Sequence, residues 1–225
     1  MKKDNIKLIG LIGLIGLIGL IKSVSAQIAP EFIISWKALN YTPADYQGKS
    51  FPIQSTPVEA SFDLLINNKI VDLSKSKIWW ELNGTNIKSG IGEKTAYFIS
   101  NGNDQMIRIS IEYNGSTLYE TFTVTSAKPQ VVIDTRNQTK NLSLGKYSFT
   151  ALPYFFNVLN SNELSFSWMN NGQKITGQAD SPEQLDLSFE SEGTPKKTDL
   201  NLSVSAINLY NQLELARGLL NLSIK

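Results

Sequence analysis

The 225-residue chain has no histidine and no cysteine, and the two absences remove most of the usual catalytic chemistry. Without histidine there is neither the commonest general base nor the commonest metal ligand. Without cysteine there is no thiol nucleophile, no thiolate metal site and no disulfide, so stability must come from apolar burial even in an oxidising compartment. No G-x-S-x-G nucleophile elbow occurs. Neighbouring carboxylates such as Glu183 and Asp186 read as solvated strand edges rather than as a hydrolytic pair. No D-x-D-x-D-G calcium loop is present, which leaves a site assembled from separated loops, around Asp134 or Asp180, as the alternative for that ion. The expectation is a protein that is not an enzyme and carries no cofactor and no metal.

An excess of basic charge is also missing. Four of the 21 Lys and Arg residues, and one of the 20 Asp and Glu residues, fall within the first 26 positions, so the remainder has 17 against 19 and a net charge of −2. That is not the footprint of phosphate neutralisation, and no nucleic-acid partner is expected.

The N-terminus does have a pattern. Lys2, Lys3 and Lys7 precede an uncharged run from Leu8 to Ile21 built on four Leu-Ile-Gly repeats, and Val24-Ser25-Ala26 places small residues before a signal-peptidase cut. The run is shorter than the roughly 20 apolar residues needed to cross a bilayer core. Residues 1–26 therefore read as a cleaved secretory signal, with an uncleaved membrane anchor as the alternative, and the protein is expected to be exported to the cell envelope or beyond. Absence of cysteine fits bacterial export. Membrane contact is expected only through this segment if it stays attached.

Downstream, Trp79-Trp80-Glu81-Leu82-Asn83-Gly84 returns as Ser167-Trp168-Met169-Asn170-Asn171-Gly172, and an isoleucine, Ile87 or Ile175, follows seven positions after the shared tryptophan. This W-x-x-N-G repeat divides the chain in two, and around it the period of apolar residues is two. Phe32, Ile34, Trp36 and Ala38 share one face of a first strand; a loop rich in proline and glycine spans Tyr41 to Pro57; strands follow over Val58–Ile66, Ile78–Leu82, Thr95–Ser100, Ile107–Tyr113 and Leu118–Thr125, with a short edge piece near Ile70–Leu73. Asn67-Asn68, Asn83-Gly84 and Asn114-Gly115 are hairpin turn signals. Ala127-Lys128-Pro129 marks a boundary. Beyond it strands are expected at Val131–Asp134, Tyr147–Leu152 with continuation through Phe155 and Phe156, Leu164–Met169, Leu185–Phe189, Leu200–Ile207 and Leu213–Ile224.

A strand with a central tryptophan, a tight turn and a later alternating strand resembles the immunoglobulin-like and polycystic-kidney-disease-like modules of bacterial surface proteins. The resemblance covers residues 28–225 and departs from antibody domains in lacking the inter-sheet cysteines. It implies that Trp80 and Trp168 pack between sheets, and that such modules act as spacers, adhesins or assembly subunits. The fold class read from the sequence is all-β: two tandem antiparallel immunoglobulin-like β-sandwich domains, 27–127 and 128–225, after the signal segment.

Adjacent residues of a strand point to opposite faces. If Trp80 is core, Trp79 faces outward, where an indole can anchor a protein or stack on a sugar ring; the alternative is that the Tyr41–Pro57 loop or the other domain covers it. Tyr41, Tyr46 and Tyr119 are the candidates to join Trp79 in such a binding surface. The expected partner is a protein of the cell envelope or surface, with a glycan as the alternative. Mass measurement of the exported chain tests the first step: the product begins at Gln27, and a chain retaining the Leu-Ile-Gly run contradicts cleavage.

Overall fold

The computed structural model describes residues 29–135, 141–176, 181–190 and 198–224; the expected export segment and Asp180 lie outside them. Apart from one 3-10 turn over Ser161–Glu163, the regular structure is β-strand. The first sandwich comprises β1 (Glu31–Ala38), β2 (Gln54–Ile66), β3 (Lys69–Ile70), β4 (Lys77–Leu82), β5 (Thr85–Ile91), β6 (Thr95–Asn101), β7 (Gln105–Tyr113) and β8 (Ser116–Val124). The second comprises β9 (Gln130–Asp134), β10 (Asn141–Leu142), β11 (Gly145–Tyr154), β12 (Leu164–Asn170), β13 (Gln173–Lys174), β14 (Gln184–Phe189), β15 (Thr198–Asn208) and β16 (Leu215–Ile224).

In the first sandwich β2 pairs with β1, β3 and β6 to make one sheet, and the other runs β5-β4-β7-β8. In the second the sheets run β14-β11-β9 and β10-β16-β15-β12-β13. This is immunoglobulin-like topology, with β4 and β12 as the third strand that holds the core tryptophan. Each sandwich has its own apolar cluster, one around Phe62, Trp80 and Ile109, the other around Phe149, Trp168 and Val204. Strand alternation builds them: Ile107, Ile109 and Ile111 of β7 are fully buried, while Met106, Arg108 and Glu112 face the other way.

The repeated motif does the same work twice. Trp80 lies edge-on to Phe62 with ring centroids 5.5 Å apart. Its indole N–H donates to the Glu93 carbonyl at 2.8 Å, and that of Trp168 donates to the Pro182 carbonyl at 3.1 Å. Asn83 and Gly84 take φ of 49° and 83°, Asn171 and Gly172 take 49° and 80°, the positive values of a two-residue hairpin turn. The turn asparagines also reach sideways: Asn83 Oδ1 accepts from the Met106 N–H at 2.9 Å and Asn171 Oδ1 from the Asn201 N–H at 3.0 Å. Ile87 and Ile175 both pack against their respective cores.

Several sequence expectations are corrected. The loop after β1 ends at Ile53 rather than Pro57, because a register shift between Gln54 and Pro57, with Ser55 at φ 67°, admits the proline into β2. Of the expected Ile70–Leu73 piece only Ile70 is strand, in the two-residue β3 with Lys69. Thr85–Ile91, which carries no apolar alternation, is a strand because it hairpins onto β4. Phe155, at φ 64°, ends β11 before the expected continuation. β16 begins two residues later than expected, at Leu215. One pairing is parallel: Asn141–Leu142 crosses sheets and runs beside Ser223–Ile224 of β16.

Candidate functional site

The four aromatic candidates separate into two places. Trp79 and Tyr119 share the outer face of the β5-β4-β7-β8 sheet, in one cross-strand row of Ser89, Trp79, Ser110 and Tyr119. Two strand spacings put them roughly 10 Å apart with only a serine between. Trp79 is half-buried and Tyr119 is 61% exposed. Both rings already hold a cation: the Lys77 ammonium lies 4.9 Å from the Trp79 centroid and the Arg108 guanidinium 4.4 Å from that of Tyr119. Ser74 and Lys77 stand at the S-x-x-K spacing of some serine enzymes; here Lys77 is on a strand against the indole, and Ser74 is exposed on a turn with its N–H donated to Asp72.

Tyr41 and Tyr46 do not join that face. The loop after β1 leaves the first sandwich and docks on the second. The Tyr41 N–H donates to the Phe156 carbonyl and the Phe155 N–H to that of Tyr41, both at 2.8 Å, and the Tyr41 ring packs on the second core. Tyr46 stacks edge-on against Tyr154 at 5.3 Å and against Phe155 at 6.2 Å. With Trp36–Phe51 at 6.2 Å and Phe51–Phe155 at 5.8 Å, a line of rings joins the two sandwiches. The left-handed Phe155 sends its ring into this junction while Phe156 enters the second core, so adjacent aromatics serve two interiors. Lys49, 3.4 Å over Trp36, has its ammonium held below the ordinary lysine value by burial. Burial, followed by the nearby Asp45, pushes the Tyr154 hydroxyl above the ordinary tyrosine value.

Beside the rings lies a polar clamp. Buried Thr56 donates to Asn157 Oδ1 at 2.6 Å, and Asn157 Nδ2 donates to the Gln54 carbonyl at 2.9 Å. Asn157 also presents its backbone N–H and its Nδ2 to the buried Glu214 carboxylate at 2.9 and 3.0 Å. Asn208 and Asn211 amides complete the set at 3.0 and 3.1 Å. The carboxylate is thus held by four N–H donors and acts as a structural acceptor.

The same clamp displays a surface the sequence reading did not single out. The loops 155–163 and 209–214, equivalent to the B–C and F–G loops that carry antibody contacts, hold Leu159, Tyr210 and Leu213 at 90%, 80% and 92% exposure and Leu209 at 56%. None of them hangs on loose backbone. Glu163 ties two together, its carboxylate accepting from the Leu159 N–H at 2.9 Å and its carbonyl from the Leu209 N–H at 3.0 Å. Asn208 and Asn211 side chains accept from the Tyr210 and Leu213 N–H groups at 2.9 and 3.2 Å. Leu39, Tyr41, Val158 and Leu159 line a shallow groove of about 400 Å³ at the edge of this apex. Isolated leucines between asparagines, at Asn157 to Asn162 and Asn208 to Leu213, are the sequence signal that could have found it.

Among the described residues no group of three acidic side chains is placed to hold a metal ion, and no helix is long and apolar enough to cross a membrane. No protein-family model matches the chain, and no curated protein matches it. Solved structures do align with it. The fibronectin(III)-like modules of Clostridium thermocellum CbhA are 14% identical over 85% of this chain and 93% of theirs, with a TM-score of 0.29. The N-terminal four Ig domains of Dscam1 isoform 6.9 are 15% identical over 89% of this chain and 47% of theirs, with a TM-score of 0.33. Bacteroides ovatus SGBP-B, from a mixed-linkage glucan utilization locus and in complex with a mixed-linkage heptasaccharide, is 11% identical over 85% and 47%, with a TM-score of 0.27. The strand order above carries the fold assignment by itself.

Glu214→Gln tests the clamp. It replaces one acceptor oxygen by an amide N–H₂ that faces the clamp's N–H donors, and should cost about 1–3 kcal/mol, read as a lower denaturant midpoint. An unchanged midpoint contradicts the role given to the carboxylate.

Proposed function

We propose that the protein is an exported, non-enzymatic interaction module of two domains, 27–127 and 128–225, that binds a protein partner in the cell envelope or at the surface. The observation that supports this is the loop apex: Leu159, Leu209, Tyr210 and Leu213 stand in solvent on backbone fixed by Glu163, Asn208 and Asn211. Large apolar side chains cost solubility when left exposed, and a backbone already fixed by hydrogen bonds spares the binding step the cost of ordering the loop, with Tyr210 the residue type most enriched at interface hot spots. The two carboxylates at the apex, Glu163 and Glu214, are occupied by N–H donors of the fold, so the contact is apolar with an amide rim and insensitive to salt. Capture from the native envelope should recover a partner that Leu213→Asp and Tyr210→Ala each reduce at least about tenfold; equal recovery by both variants contradicts the reading.

A carbohydrate is the second reading, favoured by the row that sets Trp79 and Tyr119 on one flat face. It ranks lower because Lys77 and Arg108 occupy the ring faces that a sugar would use. On a glycan panel this reading requires Trp79→Ala to abolish binding and Lys77→Ala to strengthen it. Binding unaffected by Trp79→Ala removes it.

A further inference from the structure

The β5-β4-β7-β8 sheet has two edges of different character. β5 is irregular, with a register shift opposite Trp80 and Glu81, Gly90 within it, and Lys88 paired to Glu93 at 2.6 Å. Such bulges and lysines blunt an edge against further pairing. β8 has no bulge and no lysine; the one such device on it is the charge of Glu120 on the core-facing side. The strand is nine residues long, Ser-Thr-Leu-Tyr-Glu-Thr-Phe-Thr-Val, without proline, glycine or lysine, and pairs with β7 without a shift from Tyr113↔Ser116 to Gln105↔Val124. Among the described residues no strand pairs with its far side.

The two-residue Asn114-Gly115 turn fixes which groups face that side. It closes on Tyr113 and Ser116 as a hydrogen-bonded pair, and alternation then turns the N–H and C=O groups of Thr117, Tyr119, Thr121 and Thr123 away from β7. The geometry of Glu120 agrees, since its side chain curls onto the outward Thr121 N–H at 3.2 Å. The corresponding edge of the second sandwich, on β16, already receives a strand, β10, from the chain itself. In the first sandwich the residues after β1 have gone to the junction instead, through Tyr41 and Tyr46.

We infer that β8 is a strand-addition site for an extended segment of a partner protein with a basic residue opposite Glu120. Backbone groups of Thr117, Tyr119 and Thr123 and the Thr121 carbonyl supply the ladder, the Thr121 N–H joining it when the Glu120 carboxylate swings from it to the incoming basic residue. Half-buried Leu118 and Phe122 flank Glu120 on the core-facing side, where alternate apolar side chains of the incoming strand would rest. Glu120 is the only charge on β8 and sits at its centre. It selects the occupant: a second copy pairing antiparallel about that centre would set Glu120 against Glu120, whereas a lysine or arginine at that place pairs with it. The site is remote in sequence from the loop apex and does not depend on it.

The test uses the full chain and two labelled nine-residue peptides, one with the sequence of β8 and one with lysine replacing its central glutamate. Fluorescence anisotropy should show the lysine peptide binding about tenfold tighter than the glutamate peptide. Glu120→Lys should reverse the preference, and N-methylation of the peptide at the positions facing β8 should abolish binding while leaving the protein untouched. Failure of both peptides to bind overturns the proposal, as does a preference that Glu120→Lys does not reverse or binding that survives N-methylation. A wild-type dimer in sedimentation that the glutamate peptide dissociates overturns it in favour of a second copy.

Discussion

A tryptophan at the centre of a sandwich brings one polar atom into an apolar interior, and an unpaired buried donor costs about 1–3 kcal/mol. In both sandwiches the cost is avoided in the same way: the Trp80 and Trp168 indole N–H groups reach backbone carbonyls of loops 13 and 14 residues further on. The tryptophan therefore fixes more than a volume of core. It sets where the chain returns after the third strand, at Glu93 and Pro182, and so where β6 and β14 enter the opposite sheet. The asparagine three residues later fixes the neighbour on the other side, because its side chain accepts from the backbone of β7 or β15. Three motif positions, the tryptophan, the asparagine and the glycine, thus fix the core, the turn and the next strand together.

The two copies then diverge where they meet. The loop after β1 is long enough to leave its own sandwich, and Phe155, held at positive φ, turns its ring back to receive it. The Thr56–Asn157–Glu214 chain adds hydrogen bonds between residues far apart in sequence. This junction shapes both surfaces proposed for binding. It uses half of the loops 155–163 and 209–214 for docking and presents the other half, Leu159, Leu209, Tyr210 and Leu213, to solvent. By drawing the residues after β1 away, it also leaves β8 without the strand that β10 supplies to β16.

What could be read from the sequence was local. Alternation in Ile107–Tyr113 and Leu200–Ile207, positive φ at Asn83-Gly84, and the core place of Trp80 and Trp168 follow from neighbours within a few residues. Thr85–Ile91 was not legible, because Asn86, Lys88, Ser89 and Gly90 give no period and only the hairpin onto β4 makes it a strand. Tyr41 and Tyr46 resembled Trp79 and Tyr119 in chemistry, but their destination depends on a tertiary contact with Phe155 and Phe156. The apex was hidden for the same reason: leucines in a β-rich chain read as core, and only the folded loops show that these four are outside.

The account rests on the apex being a fixed display rather than a loose loop, since preorganisation is what turns exposed apolar area into binding free energy. Hydrogen–deuterium exchange resolved at the Leu159, Leu209, Tyr210 and Leu213 amides measures this directly. Each of these N–H groups has a side-chain or backbone acceptor in Glu163, Asn208 or Asn211, so exchange slowed well below the open-chain rate is the predicted result. Exchange of all four amides at the open-chain rate would contradict it.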